Sequence, residues 1–85
     1  MVQGVPWFRS MDAPTDTGRC VVDPSSGLRG GHCTFDYGVK RDGSVLFQNS
    51  WGTSWGDAGR AVWLPEDVQA LLDHGAEFAA PVAYA

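Results

Sequence analysis

Polar and apolar positions alternate with period two over HCTFDYGV, residues 32–39. This sets Cys33, Phe35, Tyr37 and Val39 on one side and His32, Thr34 and Asp36 on the other. Such a segment is a strand. KRDGS follows, with an Asp-Gly pair suited to a tight turn, and SVLFQN is the apolar return, so the two pair antiparallel as a hairpin. Counting back from a turn centred near Asp42, His32 falls opposite the end of the second strand, within a few residues of Asn49.

On either side the pattern is shorter and more broken. VQGVPWF is an apolar segment that Pro6 restricts to an edge or irregular strand. RSMDAPTDTGR is a loop, CVV a short strand, and DPSSGLRGG a second loop whose final Gly30 and Gly31 allow close backbone approach just before His32. After a glycine- and tryptophan-rich loop, RAVWL is a further strand. A helix of about ten residues then begins at Pro65, with Glu66 and Asp67 at its positive end, a Val68, Leu71 and Leu72 stripe, and Gly75 to stop it. EFAAPVAYA ends the chain as a strand or docked tail whose pairing Pro81 limits.

Together these elements predict one α+β domain over residues 1–85, a small, twisted, partly open antiparallel barrel or sheet of about four to six short strands with one C-terminal helix. Its expected core is Val5, Trp7, Phe35, Tyr37, Leu46, Phe47, Trp51, Trp55, Val62, Trp63, Leu64, Val68, Leu71 and Leu72.

Composition narrows the function classes. Five of the six basic residues are arginine, the net charge is −4 and no basic run occurs, which argues against nucleic acid as a partner. No apolar run approaches the roughly 18 residues of a membrane span, and the N-terminus has no signal-peptide pattern, so no membrane is expected and the location is cytoplasmic or a virion. Cys20 and Cys33 are too few for a disulfide scaffold, and with His32 and His74 they match no metal-site spacing. They are read as free thiols, although a mutual disulfide is open, and neither metal nor cofactor is expected. The arginine-, alanine- and glycine-rich usage fits a GC-rich genome.

The order GGH, hairpin, NSWGTSWG resembles the C-terminal half of papain-like cysteine peptidases over roughly residues 30 to 64. That resemblance implies that His32 and Asn49 belong to a catalytic apparatus, with Trp51 and Trp55 shielding them and Gly52, Gly56 and Gly59 letting the loop fold beneath. The chemistry suits the residue types. A thiol attacks a carbonyl well only as thiolate, so it needs an adjacent imidazole, and an amide oxygen on the other ring nitrogen fixes the imidazole's tautomer and plane. The two side chains are therefore expected within hydrogen-bond reach, with Trp51 or Trp55 packed on the pair.

The family's nucleophile lies in a helical lobe about 130 residues before the histidine, and these 85 residues contain no such motif. Cys33 adjoins His32 and points to the opposite face, while Cys20 sits in a loop or strand context. The oxyanion glutamine is missing too, since Gln48 adjoins Asn49 and Gln3 has no cysteine at a suitable distance downstream, and Asp36 places a carboxylate on the His32 face where an apolar residue is expected. Three readings follow, in this order. The first is a degenerate, non-catalytic interaction module bound to other protein subunits, in an assembly such as a phage particle. The second is half of a split peptidase hydrolysing peptide bonds with a cysteine from another chain. The third uses Cys20 or Cys33 as an unconventional nucleophile within the chain.

Overall fold

The computed structural model describes residues 2–79. The long strand β2 (Leu28–Val39) organises them. It pairs with β1 (Val2–Phe8) on one side and with β3 (Val45–Gln48) on the other, both antiparallel. The β2–β3 turn closes through Lys40 N–H to Ser44 O at 2.8 Å, and Asp42 Oδ1 accepts from Ser44 N at 2.8 Å. Gly43 supplies the positive φ of 94° that the turn needs. Beyond β3 lies β4 (Arg60–Trp63), and β5 (Glu77–Ala79) adds to β1, so the five-stranded sheet has the order β4-β3-β2-β1-β5. The expected α+β class therefore takes the form of an open antiparallel sheet. β4 and β5 occupy opposite edges. Pro6 is accommodated because β5 pairs only with Val2–Gly4, leaving the rest of β1 as an edge. Of the expected final segment, residues 80–85 lie outside the described residues.

The helix α1 (Pro65–Asp73) starts where Pro65 predicts. Asp67 does more than favour the helix dipole. It is buried, takes a bidentate pair from Arg19 at 2.9 Å, and also accepts from Val22 N at 3.1 Å and Leu64 N at 3.0 Å. One carboxylate thus ties the long loop between β1 and β2 to the helix start. The same loop is stitched along the edge of β4 by Cys20 N–H to Val62 O at 2.8 Å and Val62 N–H to Gly18 O at 2.9 Å.

The alternation in β2 holds from His32 to Asp36, but the buried side is the one carrying His32, Thr34 and Asp36. Those positions share their face with Gln3, Val5 and Trp7 of β1, and these pack with Phe47, Ala61 and Trp63. Phe47 and Trp63 stack at 3.7 Å. Two expected core residues are therefore exposed, Phe35 at 50% and Tyr37 at 45%; Trp51, in the loop after β3, and Leu72, on the outer side of α1, are exposed as well, each at 44%. Leu46, Val62, Leu64, Val68 and Trp55 are half-buried. Phe8, Met11, Cys20, Val22 and Val45 fill the core instead. Period-two patterning separates two faces without saying which is inside, and here β1 decides it. A bulge between Asp36 and Gly38 also breaks the alternation, so Val39 is in register with buried Val45 and not on the Phe35 face.

Candidate functional site

The last paired residue of β3 is Gln48, opposite Phe35, so the chain leaves the sheet at Asn49, diagonally across from His32. The expected contact forms: His32 Nε2 and Asn49 Oδ1 are 2.6 Å apart. Asn49 is buried and held at its backbone by N–H donation to Gly59 O at 2.8 Å. Its Oδ1 also accepts from Ser50 N at 2.8 Å, and that backbone donor fixes which amide atom points towards the ring. Because Oδ1 can only accept, Nε2 carries the proton of the bond. Nδ1, which makes no hydrogen bond among the described residues, is then the basic nitrogen of the neutral ring.

The tryptophan-rich loop closes over this pair by glycine geometry. At Gly56, φ is 58° and a Cβ would meet Arg60 O at 2.5 Å. At Gly59, φ is 86° and a Cβ would press on Gly52 O at 3.2 Å. A side chain at either position would push the loop off Asn49. Trp51 lies against the imidazole with ring centroids 5.1 Å apart. Trp55 forms a second layer, touching Trp51 at 5.8 Å, Trp7 at 6.1 Å and Phe47 at 6.0 Å.

Two residues not singled out for the site by sequence belong to it. Trp7 meets His32 edge-on at 4.9 Å, closer than Trp51 does. Asp12 binds the tryptophans together. Its carboxylate accepts from Trp7 Nε1 at 3.0 Å and from Arg29 Nε at 2.6 Å, and its carbonyl accepts from Trp55 Nε1 at 2.9 Å. The signal for Trp7 was its place in the Gln3, Val5, Trp7 alternation. For Asp12, deep in a loop, the sequence offers none. Trp7, Arg29, Gly30, Gly31, His32 and Trp51 line a small open recess of about 180 Å³.

The cysteines stand apart from this arrangement. Cys20 has no exposed surface, its thiol points to Met11 O at 3.7 Å, and burial pushes its pKa up to about 12. Burial closes this thiol off from a substrate carbonyl in this fold and disfavours its thiolate. Cys33 is exposed, on the opposite face of β2 from His32. Gln48 is exposed beside Arg60, and Gln3 is fully buried at the far end of the sheet, so neither glutamine is among the residues lining the recess. Asp36 is buried and accepts from Thr34 Oγ1 at 3.1 Å, and burial raises its pKa to about 6.

Among the described residues no group of three or more His, Cys, Asp or Glu side chains is placed to hold a metal ion, and no helix is long and apolar enough to cross a membrane. No family model matches the chain, and no curated protein or solved structure matches it.

Proposed function

We propose that this chain supplies the histidine–asparagine half of a papain-like cysteine peptidase site, with the attacking thiol contributed from outside these 85 residues. The observation that carries the reading is the 2.6 Å bond between His32 Nε2 and Asn49 Oδ1, which leaves Nδ1 as the proton acceptor. A thiol within about 3 to 4 Å of Nδ1 loses its proton to the ring, and the thiolate attacks the peptide carbonyl carbon. The imidazolium then returns that proton to the leaving amine, giving a thioester. Water, deprotonated by the same nitrogen, cleaves the thioester and restores the thiol. Asn49 keeps the ring plane through each transfer, and Trp7 and Trp51 limit water around its bond, which strengthens it in the lower local dielectric.

A second reading is a non-catalytic interaction module, cytoplasmic or in an assembly such as a phage particle, bound to other protein subunits. It is favoured by the exposed Phe35 and Tyr37 on the face opposite the site.

The two readings separate when the chain is mixed with the helical, cysteine-bearing lobe of a papain-like peptidase made as a separate polypeptide, and hydrolysis of a dipeptidyl coumarin amide is followed. The chain alone is expected to give no turnover. The mixture is expected to hydrolyse the amide, with activity abolished by His32→Ala and reduced at least about tenfold by Asn49→Ala. A complex that forms by sedimentation yet shows no His32-dependent turnover favours the interaction module.

A further inference from the structure

The outer face of the sheet, opposite His32 and Asn49, has a charge pattern that matches its own image. Read across the register from β4, one row contains Arg60, Gln48, Phe35 and Val2, and the next same-face row contains Cys33, Gly4 and Glu77. Phe35, Tyr37 and Val2 are 50%, 45% and 44% exposed. Arg60 lies over the Tyr37 ring at 5.4 Å, which places its guanidinium on this face. Among these positions the charges sit at the two edges, a cation on β4 and an anion on β5, while the middle strand β2 carries the aromatic centre.

We propose that this face binds a second copy of the chain, sheet against sheet, about a two-fold axis running along β2. Such a rotation exchanges left and right edges, so Arg60 of each copy meets the Glu77 edge of the other, twice per dimer. The rows differ by one same-face step, about 7 Å along the strand, which an arginine side chain spans. On the axis Phe35 packs against its own copy. The other in-plane axis, across the strands, sets Arg60 against Arg60 and is disfavoured by charge. A foreign partner needs an acid and a base at this spacing, whereas a second copy has both by symmetry.

Five strands about 4.8 Å apart, and about four residues deep, make a patch of roughly 350 Å² per copy, below the roughly 800 Å² per partner of a standard interface. The dimer is therefore weak and concentration-dependent. The His32 recess faces away from the contact and stays open.

Sedimentation of the full chain across the micromolar to millimolar range tests the proposal. A reversible monomer–dimer equilibrium is expected, abolished by Phe35→Asp and weakened at least about tenfold by Arg60→Glu or Glu77→Arg alone. Combining the two charge reversals restores association to within about threefold of the parent, because the exchanged pair is the same pair inverted. A short bis-maleimide couples two copies through Cys33, since Cys20 is buried, and the product is lost in Cys33→Ser. A chain that stays monomeric throughout, or a double reversal no stronger than the singles, overturns the proposal.

Discussion

Along the buried face of the sheet, the Trp7 end and the Gln3 end treat their polar groups differently. At the first, Asn49 Oδ1 accepts two bonds, Asp12 joins two indoles and an arginine, and a single Asn49 atom, Nδ2, is buried without a partner among the described residues. At the second, Gln3 is fully buried with neither amide atom partnered among the described residues, and Asp36, though it accepts from Thr34 Oγ1, is buried enough to raise its pKa to about 6. Both ends lie on the same two strands and one hydrophobic core. The contrast teaches that polarity on an inner face is stabilising only where geometry matches donors to acceptors, and here that match is concentrated around the imidazole.

Breaking the matched end has the largest effect. Trp7→Ala removes a core ring that also packs on His32 and bonds Asp12, and is expected to cost about 3–5 kcal/mol by denaturant unfolding. A loss below about 1 kcal/mol would show that the indole layer is not built on Trp7.

At the Gln3 end the change runs the other way. The carboxyl of Asp36 has a folded pKa of about 6 against 3.8 ordinarily, so its neutral form is favoured by folding. Its contribution is intact below about pH 4 and is lost as pH rises through about 6. Asp36→Asn, which stays neutral, is expected to leave stability unchanged near pH 4 and raise it by about 2 kcal/mol at pH 8. Thermal unfolding of both chains across that window measures the difference, and a variant less stable at pH 8 contradicts the account. A smaller gain, about 1–2 kcal/mol, is expected for Gln3→Leu, which removes two buried atoms that have no partner among the described residues while keeping volume. If that variant is destabilised on calorimetry, Gln3 has an internal partner such as a buried water.

The hairpin, the helix start and the His32–Asn49 contact were legible because each rests on a local rule: an Asp-Gly turn, a proline at the first helical position, and strand register. The buried side of β2 was not. Phe35 and Tyr37 are the more hydrophobic set, and only the pairing with Gln3, Val5 and Trp7 turns Thr34 and Asp36 inward. Val39 was misplaced for a related reason, since a bulge has no clear mark in the sequence beyond Gly38. Asp12 bonds residues 5, 17 and 43 positions away, and Asp67 reaches Val22 and Arg19 at 45 and 48, contacts which no local pattern encodes.

Asn49 holds His32 with Nε2 protonated and Nδ1 free to take a proton. Nitrogen-15 NMR of the histidine ring, recorded above the pH at which the imidazole is neutral, reads this directly. His32 is expected to show a protonated, pyrrole-like Nε2 and an unprotonated Nδ1, a preference that fades towards a mixed population in Asn49→Ala. A ring protonated at Nδ1 in the parent chain, or a tautomer ratio indifferent to Asn49, contradicts it.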